Sequence, residues 1–214
     1  MSLDTPLFSE LAPEDLRLIC ECGATKTYPR HSIIINEGDL SDTLYIILTG
    51  KAKVYVSEAD GREVTLSILG PGEFFGELSL IDEAPRSASV ATLESTSLSL
   101  VSKVGFQQCI KKNPEIALKL MRVLSHRIRS LTESVKSLAL LDVYGRVART
   151  LETLAITKNG AQVVEQRLTH QDIANMVGAS REMVSRIMKE LTTGNYIQFK
   201  EKHITILKKL PLNW

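Results

Sequence analysis

The sequence predicts an α+β chain in three segments: an N-terminal antiparallel β barrel or jelly roll, a long coiled-coil helix, and a C-terminal winged helix-turn-helix. Three observations predict it. Residues 25–104 alternate short apolar runs with glycine turns, and from Asn113 apolar residues recur at steps of four and three over three heptads. Thr169–Leu191 then reads as two cappable helices joined at Gly178. The resulting segments are 1–112, 113–141 and 142–214.

A short helix is expected near Pro13–Cys22. Strands follow at Ser32–Asn36, Thr43–Leu48, Ala52–Ser57, Val64–Leu69, Ala88–Leu93 and Thr96–Val101, punctuated by Glu-Gly-Asp, Thr-Gly-Lys, Asp-Gly-Arg and Gly-Pro-Gly turns. Such strands close on themselves so that their inward faces fill a core.

One stretch, Phe75–Val90, reads FGELSLIDEAPRSASV and breaks the strand pattern. Gly76 lets the backbone approach a bound group, and Leu78–Ile81 suits a single helical turn whose free N–H groups face an anion. Arg86, stiffened by Pro85, offers a planar fork of donors to two phosphate oxygens, and Ser87 adds a hydroxyl. Glu77 would repel phosphate, so beside an anion site it suits a sugar hydroxyl. The competing reading is a surface turn in which Arg86 pairs with Asp82 or Glu83.

The long helix is expected to begin with Asn113 as its cap and Pro114 in its first turn. Ala117, Met121, Leu124, Ile128, Leu131, Val135 and Leu138 form the seam of a parallel coiled coil, which implies a homodimer; the alternative is a helix packed on the barrel. Ser125, Arg127, Arg129, Thr132 and Glu133 flank the seam, within reach of a pocket on either subunit. Gly145 is expected to end or bend the helix, making Asp142–Gly145 a hinge. Val147, Leu151, Leu154 and Ala155 mark the apolar face of the next helix, and Gln162–Leu168 a strand.

In the last segment Thr169 and Ser180 suit helix caps, Ala174 allows close packing, and Gly178 suits a left-handed turn. Ile173, Val177, Val184, Ile187, Met188 and Leu191 supply the core. The opposite face of the second helix carries Arg181, Glu182, Ser185 and Arg186, with 181/185 and 182/186 sharing faces. An arginine can grip guanine and a glutamate can accept from cytosine, which suits double-stranded DNA; a solvated face with an internal Glu182–Arg186 pair is the plain alternative. Tyr196–Phe199 and His203–Leu207 flank Lys200-Glu201-Lys202, a hairpin whose lysines suit phosphate.

Composition narrows the class. The chain has 214 residues, 43% of them hydrophobic, and a net charge of +1. That charge is uneven: 10 Lys and Arg against 16 Asp and Glu give −6 over 1–112, 5 against 2 give +3 over 113–141, and 11 against 7 give +4 over 142–214. An acidic partner would meet the last segment. No apolar run nears the roughly 20 residues of a membrane span, and MSLDTPLFSE has no export signature, so a cytoplasmic location is expected. Cys20, Cys22 and Cys109 do not suit a disulfide framework, and His31, His126, His170 and His203 lack metal-ligand spacing. No nucleophile–base–orienter set is visible, so neither an enzyme nor a metal site is expected.

G-E-L-x-L followed by P-R-x-A resembles the phosphate-binding segment of cyclic nucleotide-binding domains, and IIINEGDLSDTLYIILTGKAKVY resembles their first strands. With LLDVYGR and SREMVSR also in place, the chain resembles the bacterial CRP/FNR transcription regulators over nearly its full length. The resemblance implies that Glu77 takes the ribose 2′-hydroxyl, Arg86 the cyclic phosphate, and Ser87 with the Gly76–Leu78 backbone the remaining phosphate oxygens. It implies cAMP as effector, with cGMP or a cyclic dinucleotide as alternatives, and no other cofactor. SREMVSR implies a TGTGA-like half-site, with RNA polymerase as a further partner. In the catabolite-activator branch a threonine–serine pair meets the adenine; here Leu131 and Thr132 stand there, so the first hydroxyl is absent. An iron–sulfur sensor normally needs four thiolates, and three cysteines are too few. A same-fold regulator that binds DNA without ligand remains open. So does a regulatory subunit of an enzyme, which would share the cassette but has no need of the Arg181–Arg186 face.

Overall fold

A computed structural model describes residues 13–21, 23–158, 160–200 and 203–211. In chain order the elements are α1 (Pro13–Cys20), β1 (Gly23–Tyr28), β2 (Ile33–Ile35), β3 (Thr43–Thr49), β4 (Ala52–Ser57), β5 (Glu63–Leu69), β6 (Phe74–Phe75), α2 (Leu78–Ile81), β7 (Ser89–Thr92) and β8 (Thr96–Ser102). They continue with α3 (Lys103–Lys112), α4 (Glu115–Leu140), α5 (Val143–Leu154), β9 (Ile156–Lys158), β10 (Ala161–Val164), α6 (His170–Val177), α7 (Arg181–Thr193), β11 (Ile197–Lys200) and β12 (His203–Ile206). The described residues up to 57, with 65–130, form one compact unit; 58–64 with the described residues from 131 onward form another.

The first unit holds two four-stranded sheets, ordered β1-β8-β3-β6 and β2-β7-β4-β5. Between them lie Ile35, Ile47, Ala52, Leu69, Phe75, Val90 and Leu98, drawn from both sheets. Strand period two sends Leu44 and Ile46 of β3 to the opposite face, where Ile19, Phe106, Cys109, Ile116, Leu120 and Val123 of the helices cover them. Burial on both faces explains why β3 reads as the nearly continuous apolar run TLYIILT.

Three elements here were not expected. β1, with the sequence GATKTY, pairs antiparallel with β8 from Gly23↔Val101 to Tyr28↔Thr96 yet is mostly exposed. β6 contributes only Phe74 and Phe75. α3 runs into Asn113, whose N–H donates to the Cys109 carbonyl at 2.9 Å. Asn113 therefore ends α3, and its carbonyl accepts from the Ile116 N–H at 3.0 Å where the long helix starts at Glu115.

Helix α4 carries two apolar stripes. Ile116, Leu120 and Val123 are buried in the first unit, whereas Met121, Ile128, Leu131, Val135 and Leu138 of the expected seam are exposed, Ile128 by 64% and Val135 by 65%. One stripe packs on the barrel and the other is exposed.

In the second unit α5, α6 and α7 enclose Val147, Ala148, Leu151, Ile173, Ala174, Val177, Val184, Ile187, Met188 and Leu191, with Val164, Ile197 and Ile204 closing the core from a sheet ordered β11-β12-β10-β9. The break before α5 lies at Leu141–Asp142, not at Gly145. Asp142 Oδ1 accepts from the Gly145 N–H at 2.8 Å and caps α5, placing Gly145 buried in its first turn. Arg146 then ties α5 to its neighbours, donating from Nε to the Val177 carbonyl at 2.9 Å and from Nη1 to the Leu141 carbonyl at 3.2 Å. The expected strand at 162–168 is shorter and pairs with both β9 and β12.

Among the described residues no helix is long and apolar enough to cross a membrane, and no group of three or more His, Cys, Asp or Glu side chains is placed to hold a metal ion. Neither Cys20, half-buried, nor Cys109, buried, is in a disulfide among the described residues, and Cys22 lies outside them.

Candidate functional site

The Phe75–Val90 stretch leaves β6, turns through Gly76 and forms α2 before re-entering the sheet at β7. Gly76 has φ of 80°, and a Cβ there would lie 2.5 Å from Arg86 Nη1 and 2.9 Å from the Thr43 carbonyl oxygen. Glycine is thus required twice, by its backbone angle and by the side chain that crosses it. Helix α2 is one turn, in which Leu80 and Ile81 N–H donate to the Glu77 carbonyl.

Arg86 is 4% exposed. Its Nη1 donates to the Gly76 carbonyl at 2.6 Å and to Ser79 Oγ at 2.7 Å, while Nη2 donates to Ser41 Oγ at 2.9 Å and to the Thr43 carbonyl at 2.7 Å. Its Nε–H is buried and has no acceptor among the described residues. Burial pushes the Arg86 pKa down, opposed by Tyr45, Glu77, Asp42 and Asp39 acting through space. The surface-turn partners are engaged elsewhere: Glu83 Oε1 takes Lys103 Nζ at 2.6 Å, and Asp82 Oδ1 takes the Ala84 N–H at 3.0 Å. Both terminal nitrogens of the fork are therefore already hydrogen-bonded inside the protein.

Glu77 is 5% exposed. It sits at the N-cap of α2 without a side-chain cap bond, because its Oε1 accepts from Arg127 Nη1 at 2.7 Å. Arg127 comes from α4, donates also to the Phe74 carbonyl, and lies 4.6 Å from the Phe74 ring centroid. Inside the barrel the Tyr45 and Phe75 rings stack at 5.0 Å between centroids. Burial raises the Tyr45 pKa.

The fold brings Gly76, Glu77, Arg86 and the α2 backbone together. Leu78 and Ser87 are exposed beside them. Leu131 and Thr132 are exposed positions of α4 in the second unit. Sequence reading missed Ser41, Ser79 and the Thr43 carbonyl as partners of Arg86, and placed Arg127 only beside the seam. Ser79 was legible as the variable residue of G-E-L-x-L; Ser41 carries no local signal, being 45 residues from Arg86.

The helix-turn-helix forms as its sequence dictates. Thr169 and Asp172 make a reciprocal capping box, Gly178 takes φ of 62°, and Ser180 Oγ accepts from the Met183 N–H at 3.2 Å. Ser180, Arg181, Glu182, Ser185 and Arg186 are all exposed, while Val184, Ile187, Met188 and Leu191 are buried on the other side of α7. Arg186 Nη2 rests 3.2 Å from Met183 Sδ. β11 and β12 pair from Ile197↔Ile206 to Lys200↔His203, giving the hairpin; Glu201 and Lys202 lie outside the described residues.

Residues 25–113 match the cyclic nucleotide-binding domain family, and residues 145–212 match the Crp-like helix-turn-helix domain family. The chain is 34% identical over 204 residues to a CRP-like cAMP-activated global transcriptional regulator of Mycobacterium tuberculosis, covering 94% of this chain and 91% of that protein. It is 37% identical over 186 residues to the cAMP-activated global transcriptional regulator CRP of Salmonella typhimurium, covering 84% and 87%. A solved structure of the c-di-GMP responsive global regulator CLP of Xanthomonas campestris superposes with a TM-score of 0.80 at 27% identity, covering 92% of this chain and 100% of that one.

Proposed function

We propose that this chain, which belongs to the CRP/FNR family of cyclic nucleotide-binding transcription regulators, is a homodimeric switch. In this reading cAMP, bound in the first unit, controls occupation of a palindromic operator by the second. The observation that carries the reading is the pairing of a buried cation with a spare donor, Arg86 Nε–H, and a buried carboxylate, Glu77, with one oxygen engaged. A ribose cyclic phosphate presents the complementary groups, an anion and a neighbouring hydroxyl.

Arg86 meets the phosphate, and Ser87 with the Gly76–Leu78 backbone meets its remaining oxygens. Glu77 Oε2 accepts the ribose 2′-hydroxyl while Arg127 holds Oε1. Thr132 is the residue assigned to the base. The exposed stripe of α4, within a dimerisation segment of 113–141, pairs with a second copy, because an apolar seam of this length is stabilised by burial against its equal. The dimer presents two α7 helices, from domains spanning 142–214, to half-sites roughly 34 to 36 Å apart. Ser180, Arg181, Glu182, Ser185 and Arg186 face a TGTGA-like sequence, with RNA polymerase as a further partner in the cytoplasm.

A second reading replaces cAMP by cGMP or a cyclic dinucleotide. Leu131 in place of a hydroxyl favours it, as does the likeness to a regulator described as c-di-GMP responsive. Calorimetry of wild type and Arg86→Ala with cAMP, cGMP and c-di-GMP separates the readings. We expect cAMP to bind most tightly and the variant to lose about 100-fold or more, as for a charge-assisted phosphate contact; unchanged affinity in the variant removes the site assignment. Selection from random duplexes should recover a TGTGA-like core, and recovery of another core refutes that half-site.

A further inference from the structure

A guanidinium carries five N–H donors in a fixed plane. In Arg86 the two hydrogens of Nη1 go to the Gly76 carbonyl and Ser79 Oγ, and the two of Nη2 go to Ser41 Oγ and the Thr43 carbonyl. All four acceptors are neutral, so the positive charge is held in place without being cancelled by a hydrogen-bonded carboxylate. The remaining donor, Nε–H, is buried without an acceptor among the described residues. A buried donor in that condition is unfavourable unless a partner arrives.

Two of the four acceptors are hydroxyls, set by different segments. Ser79 belongs to α2 and is itself buried; its Oγ–H donates to the Gly76 carbonyl at 3.4 Å, which leaves a lone pair for Nη1. Ser41 lies in the exposed loop before β3. Without these hydroxyls each terminal nitrogen keeps one carbonyl, and the guanidinium can pivot about it.

We propose that Ser41 and Ser79 are positioning residues that pin the terminal nitrogens of Arg86, so that the ligand phosphate is met by the Nε–H edge and not by the Nη1/Nη2 fork. The inference rests on the assignment of Arg86 to the phosphate. Its chemical consequence is stereochemical. The two exocyclic oxygens of a 3′,5′-cyclic phosphate are not equivalent, and a single N–H presented in one direction distinguishes them, whereas a pivoting guanidinium can follow either.

The test is calorimetric titration of the full-length chain with cAMP and cGMP, and with the Rp and Sp phosphorothioates of whichever binds more tightly. Wild type is compared with Ser79→Ala, Ser41→Ala, Arg86→Ala and the Ser79→Ala/Arg86→Ala double variant, each checked by thermal unfolding. Ser41 is exposed, so its variant retains the fold even if Ser79→Ala does not. We expect each serine variant to bind about three- to tenfold more weakly, the size of one ordinary lost hydrogen bond, and the Rp/Sp affinity ratio to move toward one. Ser79→Ala should cost nothing further once Arg86 is absent. If a serine variant weakens both diastereomers by one common factor, or changes neither affinity nor ratio, the positioning role is overturned while Arg86 keeps its assignment. If Arg86→Ala binds as wild type does, or wild type binds neither nucleotide, the phosphate assignment falls and the positioning role with it.

Discussion

Arg127 Nη1 lies 2.7 Å from Glu77 Oε1, joining the long helix α4 to the candidate ligand segment. Glu77 is buried and Arg127 is about three-quarters so, with side-chain exposures of 6% and 27%. The pair gives the carboxylate its counter-charge, and makes α4 part of the wall that a ligand at Glu77 would touch. Removing one partner leaves a buried charge uncompensated. Arg127→Ala should therefore destabilise the chain by about 2 to 4 kcal/mol, read as a shift of the urea midpoint at unchanged slope. Glu77→Gln, which keeps a hydrogen-bond acceptor and leaves the more exposed Arg127 unpaired, should cost less. Equal stability of Arg127→Ala and wild type would show that the pair contributes nothing.

Gly76 is crossed by the Arg86 side chain at a distance no Cβ tolerates. In Gly76→Ala the guanidinium must move or the turn must open, and the positive φ adds backbone strain of about 1 to 3 kcal/mol. The expected outcome is a folded, less stable protein with little cyclic nucleotide affinity, measured by calorimetry beside a thermal melt. Wild-type affinity in this variant would mean that the Arg86 arrangement does not govern binding.

Glu73 supplies a pH dependence of definite sign. Burial raises its pKa above the ordinary 4.5, against the opposing effects of the Gly70 N–H, which donates to Oε2 at 2.7 Å, and of Arg127. Between the ordinary value and the raised one the folded state binds more protons than the unfolded state, so stability falls as pH rises through that window. Below it both states are protonated and the loss vanishes. Glu73→Gln should flatten this fall in urea titrations run from pH 4 upward, and an unaltered slope would assign the dependence to another group.

The exposed stripe on α4 makes an oligomeric state testable by charge. Replacing Ile128 and Val135 together by glutamate places like charges opposite one another along a parallel seam. Sedimentation should show a dimer for wild type and a monomer for Ile128→Glu/Val135→Glu, with the packed stripe of Ile116, Leu120 and Val123 and the barrel fold undisturbed. A dimer that persists would move the interface elsewhere.

The helix-turn-helix was legible almost residue for residue, because its caps, its left-handed Gly178 and its apolar spacing are all local. The strands β3, β4, β5, β7 and β8 were legible for the same reason. β1 was not, since GATKTY is polar, lies at a sheet edge and is held by cross-strand pairing to β8, from Gly23↔Val101 to Tyr28↔Thr96, far along the chain. Asn113-Pro114 reads as the start of the long helix, and that Asn113 also ends α3 shows only in its N–H bond to the Cys109 carbonyl. At the candidate site the residue types were visible and their partners were not. Arg86 reads as a free fork until Ser41 and the Thr43 carbonyl are brought against it, and Arg127 reads as a seam neighbour until α4 packs its other stripe on the barrel.

The central claim is that occupation of the Glu77–Arg86 site is energetically linked to operator binding. The most direct measurement is the affinity of full-length wild type and Arg86→Ala for a palindromic TGTGA-type duplex at one fixed salt concentration, with and without saturating cAMP, cGMP or c-di-GMP. The account expects one nucleotide, cAMP, to tighten wild-type binding by about 5- to 150-fold, the usual range of allosteric coupling, and to leave Arg86→Ala unchanged. Equal affinity of wild type with and without every nucleotide would contradict it.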